Sequence, residues 1–140
     1  MNILNATDVR KNWSVTLDSV LHERPAYIKR TRDSVALVNM ETMKEILRGY
    51  SFEATEYSED DGSITLSLID MDIVVNAPDE KEARDRLAVD IKEYAEEYYD
   101  NYSVWSVSPN RKKHIPYVLK ALIYDISDIE KEIICHVGKK

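Results

Sequence analysis

Apolar and polar positions along the chain fall into two different rhythms, one before and one after about residue 48. Met1–Leu4 is a short apolar lead that fits an edge strand. Asn5 is a good helix N-cap with Asp8 three residues on, which predicts a short helix over about 6–12. Trp13, Leu17, Val20 and Leu21 then recur at i, i+4, i+7 and i+8, one face of a second helix that Pro25 ends. This spacing predicts that Trp13 is a core residue joining the first two helices. "AYIKRTRDSVALVN" reads as two strands around a polar turn over 30–34, and "METMKEIL" as a closing helix with Met40, Met43 and Leu47 on one side. Residues 1–48 therefore read β-α-α-β-β-α. So short a stretch buries little apolar surface alone, so this half is expected to dimerise.

After Gly49 the rhythm changes to alternation. "YSFEATEYS" and "SITLSLI" flank the acidic turn "EDDG", and "DIVVN" fits a third strand. "DEKEARDRLAVDIKEYAEEYY" is a long amphipathic helix. Asp79 and Glu82 are its N-cap and N3 residues, and Ala83, Leu87, Ile91, Ala95 and Tyr98 its buried stripe. "NYSVWSVS" suggests a fourth strand, and a helix is expected from His114 onward. A cap formed by Ser127 and Glu130 opens a last helix through Ile133 and Ile134. Residues 49–140 thus read β-β-β-α-β-α-α. The fold expected for the chain is α+β: a small first domain, then an antiparallel sheet with helices on one face.

Charge sharpens this division. The net charge is -7, but residues 1–48 carry +2 and residues 49–140 carry -9. A basic front and an acidic back suggest different partners for the two halves. Hydrophobic residues are 44% and charged residues 32% of the chain, a folded composition. The single cysteine, Cys135, excludes an internal disulfide and fits a cytoplasmic protein. No apolar run has signal-peptide or membrane-span length, so no membrane association is expected.

Enzyme chemistry finds little support. His22, His114 and His136 have no metal-ligand spacing, and no metal or cofactor is expected. Cys135 and His136, if helical, point about 100° apart and make a poor nucleophile–base pair. The three glycines form no phosphate-binding cluster, and Glu59–Asp61 lacks the spacing of a calcium loop. The first half offers more. Arg10 and Lys11 lie on the first helix, and Lys29, Arg30 and Arg32 cluster at the strand–strand turn. All five stand at the ends of small elements, where a side chain can reach a phosphate or, for arginine, a guanine edge.

The stretch "NILNATDVRKNWSVTLDSVLHERPAYIKRTRDSVALVNMETMKEIL" resembles the N-terminal domain of the Phd/YefM antitoxins. The likeness lies in the strand running into "NATDVR", in Trp13 three residues after Arg10, in "PAYIKR", and in the strand "SVALVN" before the short helix. It implies a bacterial or archaeal antitoxin that neutralises a co-expressed toxin and represses its own operon as a DNA-binding homodimer. The family's DNA-contacting positions correspond to Arg10 and Arg30, with Lys11, Asn12, Lys29 and Arg32 as neighbours. Members usually carry glycine or another small residue in the turn after that arginine, where this chain has "TRDS". The following "FEATEYSEDDGSITLSLIDMDIVVNAPDEKEARDRLAVDIKEYAEE" is similar to a HicB-like antitoxin domain. The two resemblances imply a DNA-binding domain over 1–48 and a toxin-binding domain over 49–140. A small basic RelE-like ribonuclease is the toxin that charge favours. Glu59, Asp60, Asp61, Glu93, Glu96, Glu97, Tyr99 and Tyr102 are the candidate toxin contacts. The alternative is a Phd-like dimeric protein–protein interaction module without DNA binding. Arg111–Lys113 is a further basic cluster, suited to an anion or to offsetting the acidic helix.

Overall fold

The computed structural model describes residues 1–139 and divides into two compact units, Met1–Ile46 and the chain from Leu47 on. In the first unit, β1 (Ile3–Asn5) leads into α1 (Ala6–Lys11) and α2 (Trp13–His22). β2 (Ala26–Arg30), β3 (Asp33–Leu37) and α3 (Met40–Leu47) follow. The sheet order is β1-β2-β3, with β1 parallel and β3 antiparallel to β2. Asn5 begins α1 by accepting from the Thr7 amide at 2.8 Å. Asn39 caps α3 through the Thr42 amide (2.8 Å), and its amide nitrogen reaches the Leu21 carbonyl at 3.3 Å, tying α3 to the end of α2.

The core of this unit is slight. Val9, Val20 and Ile28 are buried, while Ile3, Trp13, Val15, Leu21, Tyr27, Val35, Met40 and Ile46 are exposed. Trp13 is 49% exposed, which corrects its expected place in the core. Helical spacing identifies an apolar face but does not say whether the same chain covers it.

The second unit is built on a sheet of order β6-β5-β4-β7, from β4 (Glu53–Ser58), β5 (Ile64–Leu68), β6 (Val74–Ala77) and β7 (Ile134–Val137). One face is covered by α4 (Glu80–Asp100), whose Ala83, Leu87, Ile91, Ala95 and Tyr98 are all buried as the stripe requires. Asp79 caps α4 through the Glu82 amide at 2.8 Å. Then come α5 (Tyr102–Trp105), a single 3-10 turn (Lys112–His114), α6 (Ile115–Ile123) and α7 (Ile126–Glu132).

The expected fourth strand in "NYSVWSVS" is instead α5 with the turns after it. Here side-chain packing overrides the β-propensity of alternating Val and Trp. Tyr98, Tyr102 and Trp105 form an edge-to-face cluster, and Arg111 stacks on Trp105 at 3.6 Å. The expected Ser127 cap is also corrected. Asp125 is the N-cap, accepting from the Asp128 amide at 2.8 Å, and Ser127 lies inside α7. Ile134 opens β7 rather than extending the helix. β7 pairs parallel with β4, so the sheet is mixed rather than wholly antiparallel. The observed order from β4 onward is therefore β-β-β-α-α-α-α-β.

Candidate functional site

The first unit groups its basic residues by local geometry. Arg10 and Lys11 form the last turn of α1, and Asn12 follows as its C-cap with its side-chain amide on the Asp8 carbonyl at 3.2 Å. α1 packs against β1 and β2. Register places Asn5, where α1 begins, beside Lys29 on β2. Six helical residues rise about 9 Å, so Arg10 and Lys11 stand one short helix along from the sheet end that carries Lys29 and Arg30. The pairing of Arg30 with Asp33 leaves Thr31 and Arg32 as a two-residue turn. Only Thr31 has a positive φ there, 57°. That is the pattern of a type II′ turn, whose first position glycine usually fills. Arg10, Lys11, Asn12, Lys29, Arg30 and Arg32 are all exposed.

In the second unit Glu59, Asp60 and Asp61 form the β4–β5 turn. The Gly62 amide donates to the Glu59 carbonyl (3.0 Å), the Ser63 amide donates to Asp61 Oδ1 (2.9 Å), and Gly62 takes a φ of +87°. Glu93, Glu96, Glu97 and Tyr99 stand on the outer face of α4, all exposed. Tyr102 is half-buried against Tyr98, with ring centroids 5.6 Å apart. The acidic turn borders the free edge of β6: one depression is lined by Glu59, Asp60, Asp61, Ser63, Thr65 and Asn76.

Several polar side chains that hold this unit together carry no local sequence signal, because their partners lie far along the chain. The Arg84 guanidinium donates to the Glu130 and Ile133 carbonyls, both at 2.9 Å, to Glu130 Oε1 at 3.3 Å and to Cys135 Sγ at 3.3 Å. Lys92 donates to the carbonyls of Ala121, Leu122 and Tyr124, closing the end of α6. Lys120, 4% exposed, bonds the Tyr50 carbonyl at 3.0 Å and pairs with Glu132 at 2.9 Å. His114 is buried with Nδ1 2.7 Å from the Tyr94 hydroxyl, and burial lowers its pKa below the ordinary 6.5. The basic cluster 111–113 is not one free surface, since the Arg111 guanidinium lies over Trp105 and its carbonyl accepts from Tyr98.

Cys135 and His136 lie on a strand, not a helix, so their side chains face opposite sides of the sheet. His136 pairs with Glu53 at 3.0 Å. Cys135 lies with Glu56 and Glu80 in a group whose ligand atoms are within 4.8 Å of one another. Burial raises the pKa of both the Cys135 thiol and the Glu56 carboxyl, and the Arg84 guanidinium already donates to the sulfur. A protonated thiol beside a fixed cation is poorly suited to hold a metal ion. No helix among the described residues is long and apolar enough to cross a membrane.

The chain is thus a two-unit α+β protein with exposed basic side chains on one unit and an acidic surface on the other. Comparison with known proteins defines its class. A family model described as "Antitoxin of toxin-antitoxin, RelE / RelB, TA system" matches residues 1–135, and the chain belongs to this PHD-like antitoxin family. A crystal structure from Syntrophomonas wolfei subsp. wolfei, described as the antitoxin part of a proposed toxin/antitoxin system, is similar throughout. It is 32% identical with a TM-score of 0.92, over 99% of this chain and 100% of that one. A search of curated proteins finds no match. The family is an antitoxin class and not an enzyme class, and an antitoxin implies a cognate toxin partner.

Proposed function

We propose that this antitoxin works through two surfaces, one on a Phd/YefM-like first domain and one on a HicB-like second domain. The first domain, taken over 1–48, forms a homodimer and binds operator DNA through Arg10, Lys11, Asn12, Lys29, Arg30 and Arg32. The second, HicB-like unit over 49–140 neutralises a basic RelE-like toxin by direct binding in the cytoplasm. The observation that carries the DNA reading is the exposure of six polar and basic side chains, three at the end of α1 and three at the end of β2 and the β2–β3 turn. The uncovered Trp13, Val15, Leu21, Val35 and Met40 support a second copy as the missing part of the core. The net charge of -9 over 49–140 supports a basic toxin, since complementary charge speeds encounter and fixes orientation.

Fluorescence anisotropy on the duplex just upstream of this chain's own start codon tests the DNA reading. Binding should exceed that to a shuffled duplex and should fall with salt at a log–log slope near -0.9 per phosphate contact. Arg10→Ala should weaken binding about tenfold, the scale of one lost charged contact, without changing the circular dichroism. Equal binding of the native and shuffled duplexes, or an unaffected Arg10→Ala, overturns it. The alternative, a dimeric interaction module without DNA binding, draws on one observation. The turn between Arg30 and Asp33 has Thr31 where the related domains usually carry glycine or another small residue.

A further inference from the structure

We propose that the free edge of β6 is the toxin-docking surface, and that it takes an extended toxin segment carrying lysine or arginine as an added strand. The inference rests on the antitoxin reading of the second unit and names where and how that unit binds.

The hydrogen-bond pattern leaves this edge open. In an antiparallel pair, residues alternate between bonding their neighbour and pointing away from it. The Leu68 amide donates to the Ile73 carbonyl at 2.8 Å, and the register continues through Leu66–Val75 and Ile64–Ala77. Val75 and Ala77 therefore face β5, while the amides and carbonyls of Val74 and Asn76 point outward. Among the described residues nothing in the sheet order lies beyond β6. The Asn76 carbonyl is met by Arg86 Nη1 at 2.8 Å, a long, half-exposed side chain from α4 that shields part of the edge from unwanted pairing.

The ground beside the edge suits a side chain. A groove of about 430 Å³ runs between β6 and α4, with Val74, Val75 and Val89 giving it an apolar lining and Glu82, Asp85 and Asp90 an acidic one. Two further depressions continue it past Asn76 to the Glu59–Asp61 turn. Six carboxylates thus follow one strand edge. Glu82 is matched by Arg86 and Asp85 by Lys81, and Asp90 at one end of the trough and Asp60 at the other keep both ends acidic.

This charge selects the occupant. A second copy of the chain would bring two acidic rims together, a repulsive arrangement. An extended segment alternating apolar and basic residues would gain main-chain bonds from Val74 and from the Asn76 amide, an apolar pocket, and carboxylates at both ends.

The test uses the full chain and the polypeptide encoded by its neighbouring gene. Amide hydrogen exchange at Val74 and Asn76 should slow in the complex. Val74→Pro removes an outward amide that bonds nothing in the sheet, at an edge position where proline is tolerated, and should weaken binding about tenfold. Asp60→Lys with Asp90→Lys, which leaves the strand intact, should slow association about tenfold at low salt and converge on the parent at high salt. A complex that forms with unchanged exchange at these amides and unchanged affinity in both variants overturns the docking surface while the antitoxin reading stands. Absence of any complex with the parent overturns both.

Discussion

Arg84 offers the sharpest quantitative prediction in the second unit, because one side chain there holds a distant segment. Its guanidinium donates to two carbonyls at the end of α7, Glu130 and Ile133, both at 2.9 Å. Charge-assisted bonds of this kind contribute about 1.5 kcal/mol each at the lower end of their range. The ion pair to Glu130 at 3.3 Å joins side chains 21% and 29% exposed, so solvent screening holds it to roughly 0.5–1 kcal/mol. Arg84→Ala should then cost on the order of 3 kcal/mol, less whatever water recovers at the freed carbonyls. For a unit of this size that is a fall in Tm of about 10–20 °C. Urea denaturation followed by tyrosine and tryptophan fluorescence measures the total. Hydrogen exchange locates it: the β7 amides, which pair with β4 just beyond the anchored carbonyls, should open before those of β5. Arg84→Lys keeps the charge but not the fork, and should recover less than half of the loss. A cost below about 1 kcal/mol, or exchange that quickens uniformly over the unit, would refute the anchoring role.

Two further outcomes follow from burial. Trp13→Ala should leave the folding of an isolated first unit within about 1.5 kcal/mol of the parent, because the ring is half exposed, yet raise the dimer dissociation constant at least tenfold. Sedimentation velocity over a concentration series separates the two, and unfolding without any effect on association would count against the proposed interface. Stability of the second unit should fall as pH drops below about 6.5. Burial, with Lys113 and Arg111 adding to it and Asp72 and Asp70 opposing, depresses the folded pKa of His114, so the unfolded chain binds the extra proton first. Urea midpoints at pH 7.5 and 5.5 should differ less in His114→Gln, and an equal difference in both proteins would remove His114 as the cause.

What was legible in the sequence was local. The α4 stripe, the Asp79 cap, the strands on either side of "EDDG" and the helix "METMKEIL" are each set by neighbours within a few residues, and each stands where the pattern put it. The misreadings share the opposite cause. "ICHV" continues an apolar run out of α7, and nothing nearby reveals that its partner is Glu53–Glu56. Residues 101–108 alternate like a strand, but Arg111 and the rings of Tyr98 and Trp105 decide their shape. Trp13 looked like core because a periodic face is the same whether its cover comes from this chain or another. The exposed cations at the ends of α1 and β2 were readable as exposed because such side chains need no distant partner. The β6 trough was not readable, since its carboxylates come from a turn and a helix that only the fold aligns.

The parallel pairing of β4 with β7 also orders events in time. β4 is the first strand of its unit to be translated and β7 follows every other element of that unit, about eighty residues later. Local hairpins and helices form fast, whereas a closure over such a distance comes late and leaves one side of β4 open meanwhile. A chain folding as it is made therefore carries a unit with an unfilled slot beside β4 until β7 is in place.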